Sequence, residues 1–265
     1  MPKLQANGIE LFYDIQGVGE PLLLIPGFAC DSAHWDLLMP SLVSQYQVIR
    51  LDNRGIGQSS VPDSPYSIKQ MADDAATLLE HIGVTKVHIA GHSMGGQIAQ
   101  ELVLAYPEKV YSLMLLATFA SCDRRFCSII ETLGDLPRIL DPEAYFYVVL
   151  PWVIGEDFYA TPGAVEEALK LQMEYPFPPT PQGLYHQSRA IMNSDTLDRL
   201  QEITCPTLVL ASQQDILLPI KFSQQLVQGI PNAELVILER GGHDFLIDAP
   251  DTVSTAILNF LAKTR

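Results

Sequence analysis

Residues 90–96 read Ala90-Gly91-His92-Ser93-Met94-Gly95-Gly96. The run Val87-His88-Ile89-Ala90 leads into them as a short strand. Behind them Ile98, Leu102 and Val103 recur at helical spacing. A strand that becomes a helix within so few residues must reverse sharply, which drives the corner residue into a sparsely populated backbone conformation. Gly91 and Gly95 carry no side chain to crowd that corner. The turn therefore lifts the Ser93 hydroxyl above the carboxyl end of its strand, where open α/β sheets bind ligands. The first amides of the helix face the same point and favour negative charge there.

Outward from this corner the pattern repeats. Lys3 to Gln16 alternates around Asn7-Gly8 and predicts a hairpin. The runs PLLLI, QVIRLD, KVHIA and VYSLMLLA predict four strands. Between them come a helix over Ser32 to Val43 and another from a Ser67-x-x-Gln70 capping box to His81, stopped by Gly83. A third helix, Met94 to Tyr106, is closed by Pro107. After residue 196 TLVLAS and AELVILE supply two more strands, and PIKFSQQLVQG and APDTVSTAILNFLAK two more helices. Strand and helix in alternation predict a mainly parallel eight-stranded sheet with helices on both faces.

Residues 119–195 break the pattern. Pro137, Pro142, Pro151, Pro162, Pro176, Pro178, Pro179 and Pro181 interrupt short helical segments, and half of the chain's aromatic side chains fall there. We read 1–118 and 196–265 as an α/β core and 119–195 as a helical lid inserted after the sixth strand, over a pocket.

Composition excludes several classes. The 265 residues (29.3 kDa) are 48% hydrophobic and 18% charged, enough apolar surface for a sizeable core. A formal net charge of −15 argues against nucleic acid and against an anionic membrane surface. The N-terminal MPKLQANGIELFYDIQG has no basic stretch followed by an apolar one, and Cys30, Cys122, Cys127 and Cys205 have no CxxC spacing. Reduced thiols and a cytoplasmic location are expected. Gly55-Ile56-Gly57 follows a strand but lacks the third glycine of a dinucleotide loop. With no HExxH and no Walker A sequence, neither cofactor nor metal is expected.

Gly91-x-Ser93-x-Gly95 in strand–turn–helix context fits a nucleophile elbow. A serine hydroxyl needs a base to take its proton. His243, on the loop between AELVILE and the last helix, lies at the same sheet edge. His34, His81, His88 and His186 lie in elements that point elsewhere, and His92, beside the serine, braces the turn. The base needs an orienting acid. Asp215 follows TLVLAS at the carboxyl edge, with Asp195, Asp198 and Asp248 as rivals. The order Ser93, Asp215, His243 goes with this elbow. Two amides should hold an oxyanion: Met94, after the nucleophile, and Phe28, after PLLLIPG.

At these residues the chain resembles an α/β-hydrolase-fold serine hydrolase over essentially its full length. Further marks are Leu51-Asp52-Asn53-Arg54-Gly55-Ile56-Gly57-Gln58-Ser59 and Gly242-His243. It departs from the family at Pro26-Gly27, where His-Gly is usual, and at Ser212-Gln213, where a glycine is common before the acid. The resemblance is nearest to esterases and enol-lactonases of aromatic catabolism, while Gly27 to Asp31 is also similar to small signalling receptors of this fold. It implies a small-molecule ester, thioester or lactone as substrate. The alternatives are a carbon–carbon bond hydrolase of dienone acids and a ligand sensor with slow turnover. A serine nucleophile argues against dehalogenase and epoxide-hydrolase members. Trp152, Arg124, Arg125 and Arg189, and with them Arg138, are candidates to meet substrate from the lid. No oligomeric state follows from the sequence.

Overall fold

The computed structural model describes residues 2–264. Eight strands, β1 (Lys3–Ala6), β2 (Ile9–Gln16), β3 (Glu20–Ile25), β4 (Tyr46–Leu51), β5 (Val87–His92), β6 (Val110–Leu116), β7 (Thr207–Ser212) and β8 (Ala233–Leu238), form one sheet. Their order across it is β1-β2-β4-β3-β5-β6-β7-β8. β1 and β2 make the expected hairpin, with Asn7 and Gly8 both at positive φ (46° and 81°). β2 runs antiparallel to β4, and every pairing from β4 through β8 is parallel.

The wholly apolar strands are explained by two cores, one on each face. Leu23 and Ile25 of β3 join Ile49, Ile89, Leu113, Leu115 and Val209 under the helices Ile68–His81 and Met94–Ala105. Leu22 and Leu24 turn the other way and meet Trp35, Leu38, Leu42, Val253, Ile257 and Phe260. Successive strand residues point to opposite faces, so a strand covered on both sides has no polar position to offer. Each fully buried Leu or Ile contributes roughly 1.5–3 kcal/mol, and a charge at any of these sites would be buried without a partner.

Ser67 and Gln70 close the capping box with reciprocal bonds of 3.2 and 3.0 Å. The single helix expected over Ser32 to Val43 is instead two short pieces, a 3-10 turn Ser32–Trp35 and a helix Met39–Leu42. Pro40 is the cause: lacking an N–H it cannot sit inside a continuous helix, so it starts a new one. The apolar spacing read from the sequence still holds, since Trp35, Leu38 and Leu42 are all fully buried.

Between β6 and β7 the chain leaves the sheet for the helices Arg124–Asp135, Pro142–Val153, Glu156–Ala160, Ala164–Glu174 and Pro181–Met192. Asp123, Asp141 and Thr180 cap three of them. Pro142 and Pro181 begin helices rather than interrupt them, because the first turn has no use for their missing N–H. A bridge between Ser121 and Asp195 brings the two ends of the insertion together, and Phe126, Ile130, Ala190 and Ile191 join the core beneath it. The four cysteines are free thiols. Among the described residues no helix is long and apolar enough to cross a membrane.

Candidate active site

Ser93, between β5 and the helix Met94–Ala105, sits at φ 53° and ψ −118°, a conformation that a residue with a side chain rarely adopts. The glycines around it are required by close approach. A Cβ at Gly91 would lie 2.2 Å from the Gly95 carbonyl oxygen, and one at Gly95 would lie 2.1 Å from that of Ile25. The strained corner is held from behind. Its amide donates to Leu116 O (2.9 Å), and its carbonyl accepts from Gly96 N (2.9 Å) and from the Thr118 hydroxyl (2.6 Å).

The structure brings Ser93, His243 and Asp215 into one chain of hydrogen bonds. Ser93 Oγ lies 2.9 Å from His243 Nε2, and His243 Nδ1 lies 2.8 Å from Asp215 Oδ2. All three are buried, with Ser93 at 7% exposure, Asp215 at 5% and His243 at 4%. Burial pulls the His243 imidazole down, but the charge of Asp215 and its hydrogen bond outweigh it and hold His243 above its ordinary value. Asp215 is fixed by the Leu218 amide, which donates to Oδ1 at 2.8 Å. The two loops are joined where the sequence departs from the family pattern. The Ser212 hydroxyl donates to Gly241 O, and Gln214 Oε1 accepts from Gly241 N at 3.2 Å. The rivals lie elsewhere. Asp195 accepts from Ser121 and from Leu197 N, while Asp248 accepts from two amides beside the histidine.

The loop after β3 passes directly over the elbow: a Cβ at Gly27 would lie 3.2 Å from that of Ser93. Among the described residues the Phe28 and Met94 amides meet no protein acceptor, whereas the next two amides are taken, Ala29 N by Gln187 Oε1 (3.1 Å) and Cys30 N by Gly27 O (3.3 Å). Ala29 sits at φ 64°, and the Gln187 amide group also donates to Arg54 O (3.2 Å). Gln187, fully buried, thus pins the loop from the inserted segment.

The His92 ring reaches the histidine loop, its Nε2 lying 3.1 Å from the His243 carbonyl. Its ring lies between those of His34 and His243, with centroids 5.0 and 5.1 Å away. Behind it His34 Nε2 lies 3.3 Å from Asp244 Oδ1. Burial lowers His34 to about 4 and His92 to about 3, and raises Asp244 to about 6. His34, His92 and Asp244 are the one group among the described residues whose donor atoms are close enough together to share a metal ion.

The candidate substrate contacts divide. Trp152 is half-buried against the core, and the Arg125 guanidinium lies 5.9 Å from its ring and donates to Ile216 O at 3.0 Å, next to Asp215. Arg124 is exposed on the first turn of its helix. Arg189 is engaged within the insertion, making two bonds of 2.9 and 3.0 Å to Asp135 and lying over the Tyr185 ring. Arg138 also lies over Tyr185. Sequence reasoning missed Thr118, Gln187 and the clamping place of Asp248. Thr118, a polar residue closing an apolar strand, carries a local signal; Gln187, mid-helix in the insertion, carries none.

A family model described as alpha/beta hydrolase fold matches residues 20–139, and one described as TAP-like protein matches 187–265. Over 263 residues the chain is 34% identical to RutD of Azorhizobium caulinodans, named as a candidate carbamate hydrolase, with 99% of each chain covered. The chain belongs to the α/β-hydrolase fold family. As an α/β hydrolase it is similar to a thermophilic esterase of Thermogutta terrifontis, with TM-score 0.88, 27% identity, and 99% and 98% of the two chains covered. The enol-lactonase of Burkholderia xenovorans LB400 shares the fold, with TM-score 0.89, 23% identity, and 98% and 100% covered.

Proposed function

We propose that this α/β hydrolase is a serine hydrolase that cleaves a small carboxylic ester or lactone through an acyl-enzyme. The observation that carries the reading is the unbroken path Asp215–His243–Ser93, with bonds of 2.8 and 2.9 Å, beside two unengaged amides. His243 takes the proton of Ser93 as its Oγ bonds to the substrate carbonyl carbon. Asp215 holds the imidazole in the tautomer that can accept, and stabilises the imidazolium that forms. The Met94 and Phe28 amides receive the oxyanion, each such donor contributing roughly 3–4 kcal/mol in the transition state. His243 then protonates the departing alkoxide, the Ser93 ester forms, and a water deprotonated by His243 releases the acid and restores the serine.

The inserted segment 119–195 acts as a lid, and the Trp152 face with Arg125 lines its side of the site. No metal or cofactor enters this chemistry. The relative named for carbamates supports a second substrate, since a carbamate presents the same carbonyl to Ser93 and differs in its leaving group.

Purified protein screened against p-nitrophenyl esters, thioesters, lactones and carbamates, with Ser93→Ala as the blank, tests the reading. Steady turnover that the variant lacks is expected, with a fluorophosphonate adduct located on Ser93 by mass spectrometry. A native protein that neither turns over nor takes the label overturns it. A single burst without turnover favours a sensor.

A further inference from the structure

The His243 loop is fastened to the inserted segment by main-chain groups on both sides of the imidazole. Before it, the Gly242 amide donates to Asp248 Oδ2 at 2.7 Å, and the same oxygen accepts from the Gly155 amide at 2.8 Å. After it, the Asp244 amide donates to Val153 O at 2.7 Å. Val153 closes the helix Pro142–Val153 and Gly155 caps the helix Glu156–Ala160, so both anchors belong to one turn of the insertion. The backbones meet too closely for a side chain. A Cβ at Gly242 would lie 2.6 Å from Val153 O, and one at Gly155 would lie 2.8 Å from Gly242 N.

From these contacts we infer that Asp248 is a positioning residue, tying the seat of the His243 imidazole to the docking of the turn Val153–Gly155. This rests on the serine-hydrolase reading above. A single carboxylate oxygen that accepts two amides holds them more strongly than a neutral acceptor would. Its partner, Asp248 Oδ1, is buried and meets no protein donor among the described residues, so the side chain serves this clamp alone. With the His92 ring also bonded to the His243 carbonyl, a shift of the loop that carries the imidazole toward or away from Ser93 moves the turn too. The insertion is therefore part of what sets the serine–histidine distance, and not a cover only.

Without the clamp, a misplacement of about an ångström costs on the order of a hundredfold in rate. Asp248→Ala should lower kcat roughly ten- to hundredfold with KM within about threefold, and should slow fluorophosphonate labelling of Ser93 in proportion. Asp248→Asn, which keeps one carbonyl oxygen for the two amides, should restore most of the rate. Circular dichroism and a thermal melt establish that each variant is folded. If Asp248→Ala does not fold, Gly155→Ala gives the decision. Its methyl group would lie 2.8 Å from Gly242 N and 3.1 Å from Asp248 Oδ2, wedging the turn out of the clamp while the carboxylate itself is kept, and the same fall in kcat is expected. A folded Asp248→Ala or Gly155→Ala with native kcat and labelling rate overturns the proposal, as does a folded Asp248→Asn no faster than the alanine variant. A native protein that takes no label fails the serine-hydrolase reading itself, a result separate from these.

Discussion

Thr118, two residues past the end of β6, donates its hydroxyl to the carbonyl oxygen of Ser93 at 2.6 Å. The neighbouring strand thereby steadies the elbow, because the carbonyl it holds belongs to the residue with the strained φ. Thr118 is buried, and Gly96 N is the other donor to the same oxygen. Thr118→Val keeps the shape and removes one of two bonds. It should cost about 0.5–1.5 kcal/mol, seen as a fall of a few degrees in Tm, and lower kcat several-fold. An unchanged Tm together with unchanged kcat would show that the elbow stands without it.

The small residues at the corner leave no room at all. With a Cβ at Gly95 only 2.1 Å from Ile25 O, Gly95→Ala must push the elbow away from β3. Over-packing of this kind typically costs about 1–3 kcal/mol, and here it also displaces the Met94 amide. Soluble, fully active Gly95→Ala protein with a native melting temperature would contradict the packing described.

How much of this was legible depended on range. The elbow could be read because its requirements are local: an apolar strand, glycines two residues either side of a serine, a helix at once. Asp215 and His243 were legible because each lies on the loop that follows a strand, and parallel strands bring their carboxyl ends to one edge. Gln187 was not, since its bond to Ala29 exists only once the insertion has docked on the β3 loop, and no periodicity announces that. Asp248 was legible as an acid near the histidine but not as a clamp, because its partners are main-chain amides that every residue has. Arg189 read as a candidate to meet substrate, but its partner Asp135 closes the helix Arg124–Asp135, a different helix of the same insertion. The helix expected through Ser32 to Val43 shows the reverse case, a correct apolar face on a backbone that Pro40 divides.

The pH profile of kcat/KM follows from His243. As the proposed base it must be neutral, and the Asp215 charge and bond hold it above its ordinary 6.5 against the pull of burial. Activity should therefore fall as pH falls, through a midpoint above 6.5. Asp215→Asn removes the cause of the rise and lets burial act alone, so the limb should move to lower pH while the plateau drops on the order of 10⁴-fold. A variant whose limb stays in place would separate Asp215 from His243.

Stability should respond to acid through the buried rings behind the elbow. His34 and His92, lowered by burial to about 4 and about 3, stay neutral in the folded chain where the unfolded chain takes up protons near 6.5. Their contribution is complete above pH 6.5 and is lost as pH falls toward those values. Asp244, raised to about 6, acts the other way. Between about 6 and its ordinary 3.8 the folded chain holds a proton that the unfolded chain lacks, so its contribution grows as pH falls. From pH 6 to 4 two protons thus favour unfolding and one favours folding, so on balance this trio makes the chain less stable as pH falls. His92→Gln retains an amide donor for the His243 carbonyl but no longer titrates. Urea unfolding at pH 7, 6 and 5 should show the native chain losing stability faster than this variant, by roughly the uptake of one proton on unfolding. Parallel declines in the two proteins would mean that His92 gains its proton in the folded state as readily as in water.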